Sequence, residues 1–346
     1  MKNAIIYPGD IDRNPSHRTA RRRLKCYCRS CRSMKGPSST SSAIYCGLLV
    51  LAPPISGRKF VIRGLVFRAY RGAAMLAFGR ALKGYYPAHP LHRRFLASIR
   101  PEATTVMGHK MYLDVVDSLL LSMRGVYEPE ETKLVQSLVH PGDIVIDIGA
   151  NIGYYTLQFA NLVRGAGKVI AFEPDPENFE LLRRNVEING YNITLERRAV
   201  SNRSGRLRLY RSSLNTADHR IFDSHDGRLS VEVDAVRLDN YLRDLDSVNF
   251  IKMDIQGAEG VALDGMIALL ERSPGVKILS EFWPEGIAAC GRSPDWYLHT
   301  LARLGFKLFD VNETGRLERT DARTLLTRSR KWSHSNLLCS RETIHT

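Results

Sequence analysis

The sequence predicts an α/β fold: a doubly wound, mostly parallel sheet with helices on both faces. Three observations carry this expectation. From residue 105 onward, short apolar runs alternate with segments of helical period, the pattern of strands buried on both sides. One of these runs, DIVIDIGA (143–150), passes directly into the small-residue loop of DIGANIGYYT (147–156), where such a sheet hands a strand over to a helix. Residues 105–342 also leave a body of about 235 residues, within the range of one domain.

The elements follow in order. VMGHKMYLDV (106–115) reads as a strand pair or hairpin, and EPEETKLVQSLV (128–139) as an amphipathic helix with acids in its first turn, where the helix dipole favours them. DIVIDIGA, a helix from about Gly153, KVIAFEP (168–174) and the helix PENFELLRRNVEIN (176–189) come next. Strands are expected at ITLERRAVS (193–201), RLRLY (206–210), LSVEVDAV (229–236) and NFIKMDIQG (249–257), with one helix through AEGVALDGMIALLE (258–271). VKILSEFW (276–283), a helix near 294–304, FKLFDV (306–311) and SNLLCSR (335–341) complete the series.

The net charge of +14 is unevenly placed. Residues 1–100 hold 20 Lys+Arg against two acids, giving +18, and the remaining 246 hold 30 against 34, giving −4. The basic character therefore belongs to the N-terminal segment, which argues against a nucleic-acid-binding body. Residues 1–57, with RRRLK, RSCRSMK and GPSSTSS, read as a basic, Ser-rich disordered tail, and 58–104 as a helical extension. Cys26, Cys28 and Cys31 with Cys46 or His17 invite a zinc reading, but the spacing lacks the paired knuckles of a structural site, and reduced thiols are expected. The apolar run AIYCGLLVLAPP is about ten residues long, short of the ~20 that span a bilayer. Along 58–83 the arginines are scattered around the helical wheel, so a packing helix is favoured over a membrane-surface helix.

Two constellations carry chemistry. In a doubly wound sheet, ligands bind beyond the carboxyl ends of the strands, where DIGANIG sits. Gly149 and Gly153 let the backbone turn and approach a ligand, and Asp147 suits an amine rather than a pyrophosphate. A dinucleotide loop would place glycines where Asn151 and Tyr154 stand, so that reading is excluded. Glu173, twenty residues after Gly153 at the end of the next strand, suits ribose hydroxyls. A ribose and a zwitterion without phosphate describe S-adenosylmethionine. The second constellation is KMDIQGAE (252–259). Lys252 alternates onto the face of Asp254 and can hold it, Gly257 permits a turn, and Glu259 opens the next helix. Asp254 is expected near the transferred methyl as base or as ligand of a divalent cation such as Mg, with Glu281 of VKILSEFW at the same rim. Structural readings compete: a turn that binds nothing, a solvated strand-end acid, a purely structural ion pair.

Taken together, PGDIVIDIGANIGYYT, AFEPDPENFELLRRNVEIN, RAVSNRSG, VEVDAVRLDNYL, NFIKMDIQGAEG, SEFWPEG and SNLLCSR resemble, in order and spacing, the FkbM-type S-adenosylmethionine-dependent methyltransferases over residues 105–342. The resemblance implies a Rossmann-like class I methyltransferase with a seven-stranded sheet whose last strand is antiparallel. It implies O-methylation of a hydroxyl on a sugar, glycolipid or polyketide-like metabolite. It places Asp147, Gly149, Asn151 and Gly153 in the cofactor loop, Glu173 on the ribose, and Glu128, the acid preceding the domain, with the cofactor-binding set. Lys252, Asp254 and Glu259 fall in the family's Lys-x-Asp-x-Glu-Gly-x-Glu signature and form the catalytic set, but Gln256 stands where an acid is usual.

An alcohol needs help to lose its proton at neutral pH, so Asp254 is the expected base, with His219 in reserve. Two other classes compete: a degenerate fold that binds without turnover, suggested by Gln256, and an RNA methyltransferase guided by the basic tail. The expected location is cytoplasmic, with peripheral membrane contact of the basic N-terminal segment through anionic lipid heads, and no nucleic-acid partner. Specificity is expected from 106–127, 211–228 and 283–295, which read as loops over the rim.

Overall fold

The computed structural model describes residues 57–78, 90–312, 314–328, 334–342 and 344. The tail up to residue 56 and its cysteine cluster lie outside the described residues, as do residues 79–83 of the helix expected over 58–83. Helices α1 (Gly57–Phe78) and α2 (Pro90–Ile99) pack on each other through Phe67, Ala74, Leu96 and Ile99 and reach Met123. Strands β1 (Ala103–Val106) and β2 (His109–Tyr112) form the expected hairpin, shifted three residues toward the N-terminus. Helices α3 (Leu121–Arg124) and α4 (Pro129–Leu138) lead into the body.

The body follows as β3 (Ile144–Ile148), α5 (Tyr154–Val163), β4 (Lys168–Phe172), α6 (Pro176–Ile188), β5 (Thr194–Glu196), β6 (Ala199–Val200), β7 (Gly205–Arg211), β8 (Leu229–Val236) and α7 (Leu238–Tyr241). Then come β9 (Phe250–Met253), α8 (Glu259–Asp264), α9 (Ile267–Glu271), β10 (Lys277–Phe282), α10 (Pro284–Ala289), α11 (Pro294–Arg303), β11 (Lys307–Val311), β12 (Leu317–Thr320), α12 (Ala322–Arg328) and β13 (Ser335–Ser340).

The main sheet runs β12-β11-β13-β10-β9-β3-β4-β5. Strands β3, β4, β5, β9 and β10 are parallel to their neighbours among themselves, while β13 lies antiparallel between β10 and β11. Alternation along each strand sends residues to two cores, which is what double winding requires. Ile146, Ile148, Ile251, Met253 and Ile278 join one core with Leu263, Leu269 and Leu298. Val145, Val169, Phe250 and Leu279 join the other with Leu134, Phe159 and Leu182.

Three expectations need correction. The sheet has eight strands instead of seven, because the chain after β11 folds back as the short edge strand β12. The runs 206–210 and 229–236 are strands but stand apart from the main sheet, pairing with β6 in a three-stranded sheet ordered β6-β8-β7. Their exposed alternate residues do not suit a sheet covered on both faces. The helix expected over 258–271 divides at Gly265, where a β-carbon would stand 2.1 Å from the Ser201 carbonyl oxygen. Glycine at this position lets the chain pass against Ser201 as it turns from α8 into α9.

Candidate active site

Strands β3, β4 and β9 end side by side, and their loops line a cleft with about 550 Å³ of empty space, its solvent mouth included. Gly149 and Asn151 come from the loop after β3, Glu173 from the end of β4, and Asp254 and Gln256 from the loop after β9. Gly149 has a φ of 85°, and a β-carbon on it would meet the Asp254 carbonyl oxygen at 2.1 Å. The two loops thus touch backbone to backbone, which glycine alone permits.

Glu173 is buried, and backbone donors engage both of its oxygens. The Asn151 N–H donates to Oε2 at 2.8 Å and the Asp175 N–H to Oε1 at 2.9 Å. Burial nevertheless pushes its carboxyl up to about 8, the N–H donors opposing. Beyond it the walls turn apolar, with Val200, Leu209, Ile221 and Ile255 forming a slot suited to an aromatic base.

The segment between β7 and β8 closes over this cleft with Thr216, Ala217 and His219. The Thr216 carbonyl accepts from the Asn178 side-chain amide at 2.9 Å, and its N–H donates to Ser118 Oγ at 2.8 Å. Arg211 ties the segment's start to Asp175 at 2.7 Å. His219 sits beneath it, with Nδ1 accepting the Ser212 N–H and Nε2 3.8 Å from Asp175. Burial lowers its pKa, against the pull of Asp175.

On the other side of Asp254 lies a small polar chamber, lined by Glu128, Glu131, Lys252, Ser280, Glu281 and Asn336 among others. Asp254 lines both cavities. Lys252 Nζ stands 3.3 Å from Asp254 Oδ2 and 4.4 Å from the centre of the Tyr155 ring. Burial would discharge this ammonium, but Asp254, Glu128 and Asp147 outweigh burial and raise its pKa. The Gln256 amide nitrogen donates to Asp254 Oδ1 at 2.9 Å and to Glu281 Oε2 at 3.2 Å, so one NH₂ group clamps two carboxylates. Burial, then the neighbouring carboxylates of Asp254, Glu259 and Glu128, push the Glu281 carboxyl up to about 9. Glu128 rises to about 7, chiefly by burial, while its Oε2 accepts from the Tyr155 hydroxyl at 2.9 Å. Across the chamber the Asn336 amide donates to Glu131 at 2.8 Å.

The residues expected at the site divide accordingly. Gly149, Asn151, Glu173, Asp254 and His219 line the cleft, while Lys252, Glu281 and again Asp254 line the chamber. Glu128 also lines the chamber and not the cleft, because it precedes α4 on the far side of β9. Asp147, Gly153 and Glu259 line neither cavity. Asp147 points inward, accepting from Thr156 Oγ1 at 2.6 Å opposite Lys252 on the paired strand, and burial raises its carboxyl to about 6. Gly153 begins α5 against Leu182. Glu259 accepts the Ile255 N–H at 2.9 Å under the loop after β9, and its Oε2 has no hydrogen-bond partner among the described residues. Burial raises its pKa to about 7.

The expected cation at Asp254 and Glu281 does not fit this donor set. The Gln256 amide occupies the bridging position with its hydrogens toward both carboxylates, the reverse of a metal ligand. Among the described residues no group of three or more His, Cys, Asp or Glu is arranged to hold a metal ion. Sequence reasoning missed Glu131, Asn336, Thr216, Asn178 and Ser118, which reach the site through tertiary contacts alone.

The order of the parallel strands, with an antiparallel strand inserted beside β10 and a glycine loop facing a strand-end glutamate, defines a Rossmann-like architecture of the methyltransferase type. Residues 147–308, just under half of the chain, match the model of the methyltransferase FkbM domain. The chain is 30% identical over 153 residues to the 2-O-methyltransferase NoeI of Sinorhizobium fredii, covering 38% of this chain and 61% of that one. It is 41% identical over 71 residues to the 31-O-demethyl-FK506 methyltransferase FkbM of Streptomyces tacrolimicus, covering 20% and 27%. In both cases it spans less than two thirds of the relative's length. A solved S-adenosylmethionine-dependent O-methyltransferase from Thermotoga maritima matches with a TM-score of 0.37 at 15% identity, covering 74% of this chain and 83% of that one, too loosely to bear on the site. No helix among the described residues is long and apolar enough to cross a membrane.

Proposed function

We propose that the protein is an S-adenosylmethionine-dependent O-methyltransferase whose acceptor is a hydroxyl of a sugar, glycolipid or similar polyhydroxylated metabolite. One observation carries this reading: Asp254 stands between a cleft suited to the cofactor and a carboxylate-rich chamber suited to hydroxyls. The cleft residues fit the cofactor. Glu173 lines the cleft where ribose hydroxyls would lie, the Val200–Leu209–Ile221 slot takes the adenine, and the Gly149–Asn151 turn lies at the end nearest Asp254, where the methionyl end belongs. When bound there, S-adenosylmethionine supplies a sulfonium methyl that an acceptor oxygen takes as its own proton leaves.

The chain's residues manage the acceptor. Glu128, Glu131 and Asn336 offer hydrogen-bond partners to a polyol, which favours a sugar-like acceptor over an apolar polyketide. Asp254, held by Lys252 and by the Gln256 amide, receives the hydroxyl proton. The two contacts hold the orientation of the Asp254 carboxylate, one on each oxygen, and such positioning is where much of the rate originates. In this reading Gln256 does with an amide what an acid-to-metal bridge would do elsewhere, so magnesium is not required. The alternative of binding without turnover rests on the same residue, since Gln256 occupies one lobe of the base. The −4 balance of residues 101–346 gives no basic footprint for RNA.

Calorimetry with S-adenosylmethionine, followed by methyl-transfer assays on a panel of sugars and glycolipids with and without chelator, tests the proposal. Binding with transfer to a sugar hydroxyl that survives chelation supports it. Binding with no transfer across the panel favours the non-catalytic alternative.

A further inference from the structure

Helix α1 carries apolar residues along two faces, and among the described residues only one is packed. Phe67 and Ala74 are buried against α2 and Met123, with Tyr70 and Met75 beside them. On the opposite side Ile62 is 60% exposed, Leu65 58%, Val66 41% and Leu76 90%, and Ala69 and Ala73 between them are exposed as well. At 100° per residue this outward set covers an arc of roughly 100°, the width of an ordinary amphipathic stripe. Arg68 stands exposed at one flank, while Arg63 on the other side is half-buried and donates to the Ala97 carbonyl.

The charge around the stripe selects its occupant. Residues 57–101 hold ten Lys+Arg and no Asp or Glu, the first acid being Glu102. Two copies of this helix brought face to face would set cation against cation with no acid to offset them. A bilayer with anionic headgroups takes both features at once. Its interface accepts the apolar stripe, and its phosphates accept arginines whose aliphatic stems lie along that stripe.

We infer that α1 is an in-plane docking helix for an anionic lipid surface, with Ile62, Leu65, Val66 and Leu76 entering the interface and the exposed Arg68 at headgroup level. The inference is independent of the methyl-transfer reading, since it rests on a face that lines neither cavity.

Co-sedimentation of the full chain with vesicles of phosphatidylcholine, alone or with about one third phosphatidylglycerol, tests it. The wild-type chain is expected to pellet with the phosphatidylglycerol vesicles and to stay in solution with phosphatidylcholine alone. L65E/L76E is expected to lower the bound fraction at least about tenfold, because two inserting side chains become anionic. Both positions are exposed, so its melting temperature should match the wild type, and L65S/L76S serves as the milder control with a smaller loss. Wild-type protein that remains in solution with phosphatidylglycerol would overturn the inference. Equal binding by L65E/L76E would also overturn it, since the basic residues before 57 would then carry binding alone. A wild-type dimer that L65E/L76E turns into a monomer, without vesicle binding in either, would assign the stripe to a second copy instead.

Discussion

The cleft and the chamber meet at Asp254 but hold their carboxylates by different means. In the cleft, backbone N–H groups of Asn151 and Asp175 grip Glu173, and their positions are fixed by the turn after β3 and the start of α6. In the chamber, side chains hold side chains: Lys252 and Gln256 on Asp254, Gln256 on Glu281, Tyr155 on Glu128, Asn336 on Glu131. A backbone grip depends on the fold and tolerates neighbouring substitutions, whereas a side-chain grip can be rewired by one residue or one proton. Binding of a constant cofactor belongs with the first and proton handling for a variable acceptor with the second.

The largest expected effect comes from the residue the two regions share. Asp254→Asn should lower kcat by about a hundredfold to ten-thousandfold, the usual worth of a positioned base, while the cofactor dissociation constant moves about threefold or less. An equal loss of cofactor binding would merge the two regions into one. Next, Glu173→Ala should raise that dissociation constant about tenfold to a hundredfold, or about 1.4–2.8 kcal/mol. It should also lower the melting temperature, because the Asn151 and Asp175 N–H groups lose their acceptor. Calorimetry and thermal melts read both.

Gln256→Glu sharpens the contrast further. It replaces a donor with a third carboxylate between Asp254 and Glu281, so kcat at pH 8 should fall about tenfold and recover as the pH is lowered and the added acid takes a proton. A variant with an unchanged pH profile would show that the clamp does not position the base. The smallest effect concerns stability. Glu281 titrates near 9 in the folded chain against 4.5 as a free side chain, so the folded state holds its proton more tightly. Its contribution is complete below about pH 4.5 and is lost as the pH rises toward 9. Glu281→Gln should flatten the decline of melting temperature across that window, and a parallel decline in both proteins would place the buried charge elsewhere.

The parallel strands were legible because β3, β4, β9 and β10 are buried on both faces and appear as mostly apolar runs with Asp147, Glu173, Asp254 and Glu281 at or near their ends. The edge strand β12, LERT, has no apolar pattern, since a strand paired on one side needs none. Alternation in 206–210 and 229–236 revealed strands but not their partners, because pairing is decided by what remains uncovered after the main sheet closes. At the site, local motifs exposed the residues that close a turn or end a strand. The chamber's remaining members could not be read in this way: Glu131 and Asn336 are 205 positions apart and meet only through β13. The inward turn of Asp147 was equally hidden, since it depends on Thr156 one helical turn into α5.

Strand β13 is the last strand in chain order yet lies inside the sheet, bonded to β10 on one side and β11 on the other. Without residues 335–340, then, β10 and β11 have no strand to bond on their facing edges. Asn336 arrives with that strand, so the acidic chamber is completed at the same moment as the sheet. A chain caught before that moment has its glycine loop and its cleft residues already made, but no finished chamber, and it exposes an adhesive slot.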